Sequence, residues 1–104
     1  MVGKAMARLL AMSGHDVATA FDGQSALETV RDFQPDVVIL DLKLPDMGGY
    51  ELLKRLKMLQ NLQHTKSIAL TGFGEEFRQN ADVEFDHFLT KPVDTKELEG
   101  LFLV

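Results

Sequence analysis

The stretch VVILDLKLPDMGG, residues 37–49, decides how the rest of the chain is read. Val37 to Leu40 is a short continuous apolar run, three of its four residues β-branched. Such a run suits a strand covered on both faces, as in a parallel sheet with helices on either side. The run ends on a carboxylate, Asp41, and then breaks at Pro45 and at Gly48-Gly49. In open α/β sheets, chemistry gathers just beyond the carboxyl ends of the strands. An acid placed there raises the question of what accompanies it.

Working outward, strand-like runs alternate with helical patterns. Toward the amino end, Val2, Met6, Leu9, Leu10 and Ser13 share one helical face. That predicts a helix over about 3–13, stopped at Gly14, a residue suited to the left-handed C′ position. DVATA, 16–20, reads as a short strand. Asp22 then caps a second helix that turns Ala26, Leu27, Val30 and Phe33 inward, and Pro35 prevents its continuation. DVVIL, 36–40, is the next strand. Beyond the loop, a helix from about Gly49 carries Leu52, Leu53, Leu56 and Leu59. KSIALT, 66–71, and FDHFLT, 85–90, read as strands, with a weak helix over 75–82 and a final one over 94–102. The alternation implies α/β architecture with a doubly wound parallel sheet.

At 104 residues, with 45% hydrophobic and 26% charged residues, the chain has the size and composition of one globular domain. The net charge of −5 argues against a phosphate-backbone binder, so no nucleic-acid partner is expected. With no cysteine, disulfides and thiolate zinc sites are excluded. No apolar run approaches the roughly 20 residues of a bilayer span. The chain is read as soluble and cytoplasmic, with no membrane partner.

Three strands end on a reactive side chain: Asp41, Thr71, and Lys91 just past Thr90. Each has an ordinary alternative, namely a turn former, a strand residue before Gly72 and a solvated cation before Pro92. Together with GHDVATAFDGQSAL, PDVVILDLKLPDMGGYEL, IALTGFG and DHFLTKPVD, they make the chain resemble the receiver domains of two-component response regulators, CheY-like in fold, over essentially its whole length. The resemblance implies that Asp41 is the phosphoacceptor, taking a phosphoryl group from a histidine kinase or phosphotransfer domain. It gives Lys91 and Thr71 the role of holding phosphoryl oxygens. Phe88 matches the aromatic that turns inward as the threonine moves; its plain alternative is a half-buried core aromatic. The backbone carbonyl of Lys43 matches a magnesium ligand beside Asp41. The surface of the helix at 75–82, the last strand and the last helix matches the face that engages an output domain or partner. The chain is expected not to be an enzyme beyond its own phosphorylation and dephosphorylation. Base rates favour a trans Lys91–Pro92 bond, whereas the family usually has it cis.

The sequence also departs from the family. Receivers hold Mg2+ with two adjacent acids at the end of a first strand, and nothing acidic precedes Asp16. With Asp41 and one carbonyl remaining, metal binding should be weak and phosphorylation slow. The fold expected is flavodoxin-like, truncated at its amino end so that four strands remain, and both ends of the 1–104 domain look clipped. The missing strand belongs between DVATA and DVVIL, leaving about 9.6 Å, or two strand spacings, to close. Either the two segments pair directly, or a partner supplies a strand, or the chain is a fragment. Direct pairing would bring Asp22 toward the rim as a substitute ligand, although helix capping is its simpler role. Glu84 stands where the family often has glycine, which would reshape that helix end. A second function fits the same residues: a pseudo-receiver that binds a partner without phosphorylation. A phosphohydrolase would want a second Asp two residues after the first, and that position is Lys43. A Rossmann domain would want a Gly-rich loop before the first helix.

Overall fold

Residues 4–41, 46–72 and 84–102 are described by the computed structural model. Three strands form one parallel sheet in the order β1 (Val37–Asp41), β2 (Lys66–Thr71), β3 (His87–Thr90). Around it lie α1 (Lys4–Met12), α2 (Gly23–Thr29), α3 (Gly49–Lys57), a 3-10 turn at Gln60–Leu62, and α4 (Thr95–Phe102).

The double winding follows from the pleat of β2, which alternates its side chains between two cores. Ala69 joins Ala26, Val30, Leu40, Leu52, Leu53 and Leu56 on the side of α2 and α3. Ile68 and Leu70 join Leu10, Leu89 and Leu98 on the side of α1 and α4. β2 is therefore sealed on both faces, with Ser67, Ile68 and Ala69 at 0% exposure. Its entry is fixed by side chains as well. The Ser67 amide donates to Asp86 Oδ2 at 2.8 Å, and the Asp86 amide donates to Ser67 Oγ at 3.1 Å. The Lys66 ammonium donates to the Leu101 and Phe102 carbonyls at 2.8 and 3.2 Å, placing a cation at the carboxyl end of α4.

Helix ends largely follow their sequence signals. Gly14 has φ +96°, and the His15 and Gly14 amides donate back to Leu10 and Ala11 carbonyls at 3.2 and 3.1 Å. These bonds satisfy carbonyls that the end of α1 would otherwise leave open. Asp22 has extended backbone and its Oδ1 accepts from the Ser25 amide at 2.7 Å, as an N-cap should. Leu9 departs from its assigned face: it is 50% exposed beside Met12, while Leu10 at 3% carries the buried stripe. Leu59 likewise lies past the end of α3.

The expected fourth strand is absent. Residues 16–20 run as chain without regular structure, and the sheet order begins at β1. A strand requires a neighbour to accept its ladder, and DVATA has none among the described residues. Nor do DVATA and DVVIL close on one another. A cleft of about 570 Å³ lies between them, lined along one wall by Asp16 to Ala20 and along the other by Asp36 to Leu40. The helix expected at 75–82 lies outside the described residues. Glu84 is described, and no described residue other than glycine has positive φ, so that position is not strained.

Candidate functional site

The site grows from the carboxyl end of the sheet. In the ladder, Asp41 stands opposite Leu70, and Thr71, the next residue of β2, stands opposite Thr90 of β3. The three strand ends thus lie side by side, and Lys91 follows directly, tied to the sheet by its amide, which donates to the Thr71 carbonyl at 2.7 Å. The Lys91–Pro92 bond is cis, contrary to the base-rate expectation.

Asp41 and Lys91 form an ion pair through Oδ1 and Nζ, the Asp41 side chain 20% exposed and that of Lys91 46%. A half-exposed ammonium on a mostly covered carboxylate holds the negative charge in place while leaving a route from solvent. Thr71 is 2% exposed, and its hydroxyl stands 3.5 Å from both the Leu89 carbonyl and Thr90 Oγ1. Its polar contacts therefore run to β3, not to Asp41. Phe88 is half-buried against the α2/α3 core, its ring edge-on to Phe85 at 5.8 Å. Phe85 in turn meets Tyr50 at 5.1 Å, so three aromatics link the start of α3 to β3. Burial raises the Tyr50 pKa above its ordinary value of 10.0, and its hydroxyl has no hydrogen-bond partner among the described residues. Neither Tyr50 nor Phe85 stood out in the sequence, Phe85 being read only as part of the strand FDHFLT.

Asp46 is the residue whose role was least visible. Next to Pro45 it has the look of a turn residue, yet it accepts from two amides at the start of α2, Gly23 at 2.8 Å and Gln24 at 3.0 Å. Those bonds hold its carboxyl below the usual 3.8, the Gly23 amide first. Its partners lie 23 and 22 residues away in sequence, so no local pattern announces them. Met47 follows it into the same contact: a Cβ built on Gly23 would collide with the Met47 side chain.

These commitments decide how far the described residues suit a magnesium ion. The ion takes about six oxygens in a near-regular octahedron. Asp41 faces Lys91, Asp46 spends both oxygens on α2, and Asp22 caps the same helix. Among the described residues, no group of three or more His, Cys, Asp or Glu could hold a metal. Lys43 lies outside the described residues. The described residues alone do not make the site, and Asp22 takes the helix-capping role.

With this geometry in place, the comparisons agree. The family model for the response regulator receiver domain matches residues 1–102, and the chain belongs to that family. It is 37% identical over 93 residues to the alkaline phosphatase synthesis transcriptional regulatory protein PhoP of Bacillus subtilis. That match takes in 88% of this chain and 38% of PhoP, so the chain spans well under half of that relative. A CheY-like receiver domain from Methylobacillus flagellatus superposes with a TM-score of 0.82 at 32% identity, covering 97% of this chain and 89% of the other. The receiver domain of the sensor histidine kinase PA1611 from Pseudomonas aeruginosa matches at 0.74 and 25% identity, over 95% and 80% of the two chains, and is described with magnesium in its active-site cleft. Receiver domains are signalling modules of two-component systems. No described helix is long and apolar enough to cross a membrane.

Proposed function

We propose that this chain is a phosphoacceptor receiver domain of a two-component phosphorelay, with Asp41 as the acceptor. The observation that carries this reading is the Asp41–Lys91 ion pair at the carboxyl rim of a parallel sheet. An Asp41 oxygen attacks the phosphorus of a phosphohistidine on a kinase or phosphotransfer domain. The P–N bond breaks, the imidazole leaves and takes up a proton, and Asp41 becomes an acyl phosphate. Such transfers depend mainly on positioning and charge compensation. Lys91 moves from the carboxylate to a phosphoryl oxygen, and the Thr71 hydroxyl turns from its β3 contacts to another. That turn would release Thr71 from β3, the strand that carries Phe88, coupling the phosphate to the β3 and α4 surface as a shift between two populations. The partner would be a histidine kinase upstream and an output domain or partner protein at that surface, in the cytoplasm, with no nucleic acid or membrane bound by this domain itself.

A second reading, a pseudo-receiver that binds its partner without phosphate, is favoured by one observation. Asp22 and Asp46 are already engaged on α2, and the described rim offers Asp41 no second carboxylate. Intact-mass measurement after incubation with acetyl phosphate separates the two, run with magnesium, with EDTA and on Asp41→Asn. Slow addition of one phosphoryl group, absent in Asp41→Asn, supports the acceptor reading. No addition to a chain folded by circular dichroism supports the pseudo-receiver.

A further inference from the structure

We infer that Thr90 is a positioning residue for the transfer to Asp41: its hydroxyl tethers the Thr71 hydroxyl to β3 and so restrains the turn by which Thr71 meets the phosphoryl group. The inference rests on the reading of Asp41 as acceptor, and it gives Thr90 a part in setting how readily the domain is phosphorylated. It begins with the sheet. Thr71 and Thr90 stand opposite one another at the ends of β2 and β3. The pleat turns Ala69 and Phe88 to the α2/α3 core, and Thr71 and Thr90, two residues further along each strand, share that face. Opposed threonines on one face of a sheet are near enough to bond through their hydroxyls. Here Thr71 Oγ1 lies 3.5 Å from Thr90 Oγ1.

The two hydroxyls differ in their surroundings. Thr71 is buried at 2% exposure, so its O–H needs a protein partner. It has one proton and two acceptors in reach, Thr90 Oγ1 and the Leu89 carbonyl, both at 3.5 Å. Bonds of that length are weak, and one proton divided between two acceptors weakens each further. The carbonyl belongs to the main chain of β3 and stays whatever side chain stands at 90. Thr90 is therefore the part of the tether that the sequence can add or remove. It is exposed, so its own O–H proton can turn to solvent while its oxygen accepts from Thr71.

Its place in the chain gives the tether a consequence. Thr90 stands one residue before Lys91, which pairs with the Asp41 carboxylate, and two after Phe88, which packs on the α2/α3 core. The Lys91 amide donates to the Thr71 carbonyl at 2.7 Å, so the main chains of β2 and β3 stay joined at this level while the hydroxyl turns. Release then needs only a change of the Thr71 χ1 rotamer. The phosphoryl group gains this donor once the hydroxyl has left β3. An interaction that holds the hydroxyl on β3, and has no counterpart when it meets the phosphoryl group, raises the barrier to transfer. A hydrogen bond at the weak end of the ordinary range alters a rate by about two- to fivefold. Thr90 is in this sense a mild brake, set one residue from the cation that the transfer requires.

The test reads the tether and its consequence separately. In the phosphate-free, isotope-labelled protein, three-bond couplings to the Thr71 Cγ2 methyl report its χ1 rotamer. Thr90→Val keeps the side-chain shape and loses the hydroxyl, and should redistribute the Thr71 rotamers. Thr90→Ser keeps the hydroxyl and should return the couplings most of the way to wild type. Intact-mass kinetics with acetyl phosphate should show Thr90→Val phosphorylated about two- to fivefold faster than wild type, again reversed by serine. A loss of packing would not be reversed by serine, which lacks the methyl group. In a Thr71→Val background, Thr90→Val should add no further change, because the tethered hydroxyl is gone. Unchanged Thr71 couplings in Thr90→Val overturn the proposal, and so does a rate equal to or below that of wild type. A wild type that takes up no phosphoryl group counts against Asp41 as acceptor instead. The couplings then decide on the tether alone, redistribution supporting it and constancy overturning it.

Discussion

β1 and β2 have nearly the same sequence character and very different surroundings. Val37 to Leu40 and Ile68 to Leu70 are both short apolar runs, and Ile39 lies directly opposite Ile68 in the ladder. Yet Ile68 and Ala69 are sealed at 0% exposure, whereas Val37, Val38 and Ile39 remain half-buried and only Leu40 is enclosed. The difference is a neighbour. Among the described residues, β2 has a strand on each side, and β1 has one strand and one cleft. Hydrophobicity states what a segment can bury, and pairing decides what it does bury.

The largest expected effect sets the two isoleucines against each other. Ile68→Ala should destabilise the domain by about 2–5 kcal/mol, as for a methylene-rich side chain removed from a closed core. Ile39→Ala should cost about 1 kcal/mol, because its site is already partly open. Chemical denaturation of the two variants reads the gap directly, and equal losses would break the comparison.

Residue-level hydrogen exchange sharpens it next. The ladder phase predicts an alternation within β1, with Val38 and Leu40 amides protected and Val37 and Ile39 exchanging faster by at least about tenfold. Uniform protection along β1 would mean that its far edge is paired after all.

Gly23→Ala probes how α2 is seated behind the open wall. The new Cβ must displace Met47, at a cost of about 1–3 kcal/mol. Combining it with Met47→Ala should recover part of that loss, and the double-mutant cycle measures the coupling.

The smallest effect is pH-dependent. Asp46 has a depressed folded pKa, so its contribution is present above the unfolded value near 3.8 and fades as pH falls through the lower folded value. Asp46→Asn should lower stability slightly at neutral pH and flatten the acid limb of the stability curve. An unchanged acid limb would show that the amides of Gly23 and Gln24 are satisfied without this carboxylate.

Much of this was legible in the chain. The apolar run ending in Asp41, the Gly14 stop and the Asp22 cap are local signals, set by a few neighbouring residues, and the structure bears them out. The rim of Asp41, Thr71 and Lys91 followed from three strands ending alike. Three features were not legible, for separate reasons. DVATA has strand composition, but a strand is a property of two segments, and sequence shows one at a time. Asp46 reads as a turn residue because its partners Gly23 and Gln24 are distant in sequence and offer only main-chain amides, which any residue could supply. Thr71 was placed correctly, while the direction of its hydroxyl, toward β3, depends on packing that composition does not reveal.

The measurement that tests the account most directly is chemical trapping of the acyl phosphate. The folded protein is incubated with acetyl phosphate, reduced with borohydride and mapped by peptide mass spectrometry. An aspartyl phosphate is reduced to homoserine at the residue that carried it. The account predicts homoserine at position 41, suppressed when Lys91 is replaced by alanine. Homoserine elsewhere, at Asp46 for instance, or none at all in a folded domain, would contradict it.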